Sequence, residues 1–363
     1  MLAAQSGFKV QAKSHNAPNG LSQEFPLVVP GYFGSKPGMQ IGTQLPPNAS
    51  EEDMQFARQL GVEWVMTSLP PEDQNIEKYL ALKRRFADNG LKIYRLGNHR
   101  CHNMEEITLN LPGRDQKVEE YLNYIRLLGK AGIYYSTYAH MANGIWSGEP
   151  ETIRGGAKAR ALRLDKNPIG NWAGKTWHEP LSHGRRYSEE ELWDNYTYFI
   201  RKVVPVAEES GVYIGVHPDD PPVYGLGGVP RCIFGNFEGY QRALEIAGSP
   251  NIGVCLCVGC WLEGGEQMGK SVTEAIRIFS QQKKLFKVHF RNVTAPLPQG
   301  FKETLLDDGY MNMFNVVHAL HESKYNGAII SDHIPAMVGG RRAAEAYSIG
   351  YMKALIQAAA TNI

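Results

Sequence analysis

Val212-Tyr213-Ile214-Gly215-Val216-His217-Pro218-Asp219-Asp220-Pro221-Pro222 is the stretch on which the fold turns. An apolar, β-branched run breaks at an imidazole, and two carboxylates and two prolines follow at once. Three later runs end in a comparable way. Cys257 closes Ile252–Cys257, His289 follows Leu285-Phe286-Lys287-Val288, and Asp332 follows Ala328-Ile329-Ile330. Metal-ligand side chains at the ends of four successive strand-like runs are not a pattern that packing alone produces.

Outward from that stretch, strand-like runs alternate with runs of 3.6 periodicity. The strands are expected near 39–43, 62–67, 91–96, 132–138, 212–217, 252–257, 285–290 and 328–332. The helices are expected near 50–60, 73–89, 115–130, 188–210, 237–247, 271–283, 311–323 and 340–359. Ser50-Glu51-Glu52-Asp53 and Ser188-Glu189-Glu190-Glu191 carry helix-start signals, and Gly61, Gly90 and Gly211 stand where C-terminal caps belong. Eight β-then-α units close naturally into a (β/α)8 TIM barrel. The rival, a doubly wound open sheet, needs a Gly-rich phosphate turn after its first strand. Thr43-Gln44-Leu45-Pro46-Pro47 cannot supply one, and Gly225-Leu226-Gly227-Gly228 joins no strand to a helix.

The 363 residues carry a net charge of +1 and are 43% hydrophobic. A charge so close to neutral argues against a nucleic-acid or membrane-surface partner, and no apolar run approaches the ~20 residues of a transmembrane helix. Five cysteines, mostly clustered, do not form a secreted disulfide framework. The expected division is an N-terminal arm over residues 1–36 and one barrel domain over 37–363. A long insertion over about 139–187 follows the fourth strand. The arm lacks the apolar core of a signal peptide, so a cytoplasmic location is expected. The alternative makes Met1–Gly7 the remnant of a removed export signal.

Barrel enzymes carry their chemistry at the C-terminal ends of the strands. His217, Cys257, His289 and Asp332 all satisfy that placement, and a mixed set of imidazole, thiolate and carboxylate suits a divalent transition metal. Zn²⁺, Fe²⁺, Mn²⁺ and Co²⁺ all fit. Taken singly, a strand-end His is a structural residue and a buried Cys a small hydrophobe. Cys257-Val258-Gly259-Cys260 also reads as a redox pair or half a zinc knot, but no second C-x-x-C exists. Cys255 is expected one layer deeper, as packing. His333 follows Asp332 and diverges from it, toward a substrate. With Tyr347 it makes a workable acid–base pair. Arg291 is an expected carboxylate or hydroxyl anchor, and Asp219 and Glu303 are further candidate substrate contacts. In the insertion, Trp146, Arg154, Arg160 and Arg163 are expected either to bind an anionic sugar or simply to pack and solvate a large loop.

At these residues the chain resembles the mannonate dehydratase family, metal-dependent lyases of sugar-acid breakdown on a xylose-isomerase-like barrel. The resemblance spans roughly 38–360. It is most specific from Asn195-Tyr196 through Val203–Val212 into His217-Pro218-Asp219-Asp220-Pro221-Pro222. Gly228-Val229-Pro230-Arg231, Leu256-Cys257-Val258-Gly259, His289-Phe290-Arg291, Phe301-Lys302-Glu303 and Met313–Val317 also align. The resemblance implies His217, Cys257, His289 and Asp332 as metal ligands, Mn²⁺ or Fe²⁺ as the ion, and His333 and Tyr347 as acid and base. It also implies a homodimer. The chain departs from the family at Ser331-Asp332-His333-Ile334-Pro335, at Lys302, Leu306 and Asn312, at Trp261–Gly265, and at Lys287, where the family has an apolar residue. A barrel-interior Lys needs a carboxylate partner or a shifted pKa. The leading expectation is a sugar-acid dehydratase making a 2-keto-3-deoxy acid. The alternatives are a sugar isomerase, epimerase or keto-sugar eliminase on the same barrel, and a non-catalytic metal- or sugar-binding barrel.

Overall fold

Eight β-branched and aromatic runs form one parallel sheet: β1 (Gln40–Gln44), β2 (Trp64–Leu69), β3 (Lys92–Asn98), β4 (Tyr135–Ala139), β5 (Tyr213–His217), β6 (Ile252–Cys257), β7 (Leu285–His289) and β8 (Ala328–Ile330). The computed structural model describes residues 38–361, so the arm expected over 1–36 lies outside the described residues. The spatial order is β3-β2-β1-β8-β7-β6-β5-β4. Its two ends are consecutive in the chain. Ala139 N donates to His102 O at 2.7 Å across that seam, closing the sheet into a (β/α)8 barrel.

The expected helix starts hold for a local reason. Ser50 and Ser188 each form a capping box, with Asp53 and Glu191 as the returning acids. Helix Arg114–Ala131 ends at Gly132 in the left-handed region, φ 66. Ile133 N still bonds to Leu128 O, which is why β4 starts at Tyr135 rather than at 132. Between the strands and the helical ring lies one large apolar cluster. A second fills the barrel itself, built from Trp64, Met66, Tyr94, Tyr135, Phe286, Ala328 and Ile330. Gly215 makes room for it, because a Cβ there would strike the Tyr135 ring.

The insertion after β4 folds into short antiparallel pieces. Ile145–Ser147 pairs with Ile169–Trp172, which pairs with Lys175–Trp177. Ala161–Leu162 joins Phe301–Thr304 and Asn292–Val293 in a second small sheet. Residues after β7 and residues after β4 are thereby tied together over the C-terminal end of the barrel. Among the described residues no helix is long and apolar enough to cross a membrane.

Candidate metal centre

Four consecutive strands bring one donor each to a common point. The donor atoms of His217, Cys257, His289 and Asp332 all lie within 4.8 Å of one another. His217 Nε2 stands 3.2 Å from His289 Nδ1, and His289 Nδ1 3.2 Å from an Asp332 oxygen. Cys257 Sγ is 3.9 Å from the other Asp332 oxygen. Ligands at tetrahedral bonding distance from a shared ion stand roughly 3.3–3.8 Å apart, so small adjustments suffice for the set to close on one. His217 is oriented for this. Its Nδ1 lies 2.7 Å from Pro218 O, which fixes the proton there and leaves the Nε2 lone pair for a cation. Asp332 sits two residues past the end of β8 in the left-handed region, φ 59, a conformation that Asp tolerates better than most residues.

Burial opposes charge at every member, yet mutual attraction prevails. Against burial, the Cys260 hydrogen bond and the Arg291 charge hold the Cys257 thiol well below its ordinary range. His289 and His333 do the same for Asp332. Asp332 and Cys255 raise His289 well above the usual imidazole value. Two anions and two imidazoles form a donor set whose charge a divalent cation would neutralise, and in that sense the residues present fit such an ion. Both cysteines of the C-x-x-C are free thiols. Cys257 Sγ instead accepts from Cys260 N at 3.5 Å, capping helix Val258–Gly264. Cys255 does more than pack: its Sγ lies 3.5 Å from His289 Nε2.

Behind the cluster lies a buried ring of charge. Arg291 donates from Nη1 to Glu263 at 2.6 Å and from Nη2 to Asp220 at 3.2 Å, and its Nε stands 3.3 Å from Asp332. Arg160, from the insertion, reaches Asp220 as well, and Glu303 at 3.0 Å. Glu303 in turn lies 2.9 Å from His333 Nδ1. Asp332 first, then Glu303, draws the His333 imidazole up to about 9 against burial. Its side chain is 38% exposed, beside a cavity of about 490 Å³ also lined by Gln44, Pro335, Met337 and Glu345.

The remaining expected residues fall in different places. Arg291 is not positioned as a substrate anchor. It is 1% exposed, and its fork is taken by Glu263 and Asp220. Trp146 is wholly buried, with Nε1 donating to Asn143 at 3.1 Å, so it packs the base of the insertion instead of facing a sugar. Asp219 is paired with Arg231 at 3.3 Å in the interior, and burial pushes its carboxyl up to about 6. Glu303 serves as the partner of His333. Tyr347 donates its hydroxyl to Asp307, which Arg154 clamps from Nη1 at 2.8 Å. Burial, then Asp307, holds that phenol up to about 12. Arg160 and Glu263 are the residues whose position sequence reasoning missed. Their signal was a cation in the insertion and an acid in the Trp261–Gly265 departure, with no spacing to join them.

A (β/α)8 barrel with nitrogen, sulfur and oxygen donors at four consecutive strand ends belongs to the xylose-isomerase-like class of barrels. A xylose isomerase domain protein from Planctomyces limnophilus shares the fold at a TM-score of 0.59 and 14% identity, over 90% of this chain and 100% of that one. The match to mannonate dehydratase from Streptococcus suis serotype 2 is deeper: TM-score 0.78 at 26% identity, over 90% of this chain and 95% of that one. Mannonate dehydratase 2 of Halalkalibacterium halodurans is 30% identical over 297 residues, 77% of this chain and 84% of that protein. The profile of the D-mannonate dehydratase (UxuA) family matches residues 49–360. The chain belongs to the D-mannonate dehydratase family.

Proposed function

We propose that the protein is a metal-dependent hydro-lyase acting on an open-chain sugar acid, with D-mannonate the first candidate. The observation that carries this is the convergence of His217, Cys257, His289 and Asp332 within 4.8 Å, with an imidazole bonded to a buried carboxylate at its edge. His217, Cys257, His289 and Asp332 would hold a divalent ion, Mn²⁺ or Fe²⁺ by family resemblance. When bound, the ion supplies Lewis-acid stabilisation of the negative charge that develops beside the substrate carboxylate.

The reaction breaks the C2–H bond and the C3–OH bond. It releases water, and the enol left behind gains a proton at C3 and gives up its 2-O–H proton to become the 2-keto-3-deoxy acid. No electrons leave the substrate. His333 takes the C2 proton in its neutral form, which a divalent cation held by Asp332 would favour by offsetting the carboxylate that draws the imidazole up. Glu303 holds its Nδ1, which leaves Nε2 as the exchanging nitrogen. Tyr347, held as a neutral phenol, is suited to protonate the departing 3-hydroxyl once it leaves Asp307.

The test is D-mannonate turnover by metal-stripped protein reloaded with Mn²⁺, following 2-keto-3-deoxy acid formation. Cys257→Ser is the control, with its metal content measured. Turnover in the parent, with activity and bound metal both lost in the control, is the expected result. A folded, metal-loaded parent that leaves D-mannonate untouched overturns the assignment.

A further inference from the structure

Two cations in the barrel are left over once the ion pairs of the site are assigned. Arg160 and Arg291 meet Asp220, Glu263, Glu303 and Asp332. Arg95 on β3 and Lys287 on β7 form no ion pair, and among the described residues neither side chain forms a hydrogen bond; Asp332 acts on Lys287 only through its field. Lys287 is only 2% exposed, and the Nε of Arg95 is a buried donor without a partner. A buried charge without a counter-charge is costly, and a fold retains one where something else supplies the compensation.

The backbone explains how both come to point inward. In β3, Val65 pairs with Ile93 and Met66 with Arg95, so Tyr94 is an extra residue. In β7, Val254 pairs with Leu285 and Cys255 with Lys287, so Phe286 is extra. Each bulge lets an aromatic residue and the cation after it share the interior face. Tyr94 and Phe286 enter the apolar fill of the barrel. The cations lie one step nearer its mouth. The Arg95 guanidinium rests over Gly97, where a Cβ would strike it.

In the ring of strands β3 and β7 are opposite, and the Tyr94 hydroxyl bonds to Phe286 O across the interior. On the β3 side the wall continues through His102, which Trp172 stacks against at 4.8 Å. Lys287 stands two residues before the ligand His289 on β7 and pairs in register with Cys255, two residues before the ligand Cys257, so the pair borders the metal cluster from within the barrel.

We infer that Arg95 and Lys287 form an anion-receiving pair across the barrel beside the metal cluster, and that they take the substrate carboxylate. This rests on the sugar-acid reading. It gives the substrate carboxylate a pair of cationic donors, the role that the buried Arg291 cannot fill. Lys287 stands where the resembled family has an apolar residue, so the pair belongs to this chain's own substrate preference.

The test uses the full, Mn²⁺-loaded protein and its Lys287→Met and Arg95→Met variants, with D-mannonate and the neutral D-mannitol titrated calorimetrically. Each variant is expected to bind D-mannonate on the order of 10- to 100-fold more weakly, the loss typical of a charge-assisted contact, with D-mannitol affinity and metal content unchanged. Unchanged D-mannonate affinity in both variants overturns the inference, as does a parent that binds D-mannitol as well as D-mannonate. A parent that binds D-mannonate through these residues but forms no keto acid refutes the dehydratase reading and leaves the inference standing.

Discussion

Arg291→Met is the most direct probe of how the site is held together. The change keeps the buried stem and removes the charge. In the parent, Asp220, Glu263 and Glu303 face two guanidinium groups. In the variant they face Arg160 alone, and the 2.6 Å bond from Arg291 Nη1 to Glu263 is lost. Asp220 is 1% and Glu263 0% exposed, so water cannot replace that bond. Removing one partner of a buried ion pair costs about 3–5 kcal/mol. The lower end is expected here, because burial already pushes the Glu263 carboxyl up and protonation limits the penalty. The sign with pH follows. Glu263 stays protonated up to about pH 8 in the folded parent, and losing Arg291 raises it further, so the deficit should grow only above about pH 8, by at most ~1.4 kcal/mol per unit. The assay is guanidinium unfolding of both proteins at pH 7 and pH 9, followed by tryptophan fluorescence and extrapolated to water. The exposed pair Arg154–Asp307 provides the contrast, since Arg154→Met should leave the midpoint where it was. An Arg291→Met protein as stable as the parent at both pH values would refute the view that this ring is a coupled, desolvated network.

Other outcomes follow from single contacts. His140 is buried among Tyr138, Tyr196, Phe199 and Phe234, and burial lowers its imidazole to about 3. The unfolded chain therefore takes up a proton first as pH falls below about 6.5, and by pH 5 this residue alone costs ~2 kcal/mol of stability. His140→Phe should remove that portion of the acid sensitivity in urea melts at pH 7.5 and pH 5. His333→Asn and Tyr347→Phe should each lower kcat on D-mannonate by roughly 10²- to 10⁴-fold with metal content unchanged, as expected for groups that move protons. A Tyr347→Phe enzyme at parental kcat would confine that residue to its bond with Asp307. Gly259→Ala should destabilise by about 1–3 kcal/mol in the same melts, because a Cβ there would strike the Arg291 side chain and Arg291 is already fixed by two carboxylates.

The convergence of His217, Cys257, His289 and Asp332 was legible in the sequence because each position is fixed by a local rule. An apolar run ends, a turn signal follows, and the last inward side chain faces the mouth of the barrel. Even Asp332, expected on a strand, stands only two residues beyond one, in the left-handed region, and still joins the cluster. Helix Val258–Gly264 was not legible: it is short, carries Gly259 and Gly264, and depends on the Cys257 cap and on packing against Arg291. Arg291 and Trp146 were legible as residue types near the site, but their orientation was not. A cation two residues past a strand-end ligand can face the cavity or the space behind it. The choice here is made by Asp220 and Glu263, 71 and 28 residues earlier in the chain. Arg160 meets Asp220 across 60 residues in the same way. No periodicity encodes such pairings. They exist only once the barrel has closed and the insertion has folded over it. Where the donors stand is thus a property of single strands, whereas which charges around them are satisfied is a property of the whole closed barrel. For that reason Lys287 could be placed in the barrel interior from the sequence, whereas the absence of an ion pair at it, and the role of Arg95 opposite, emerge only from the folded chain.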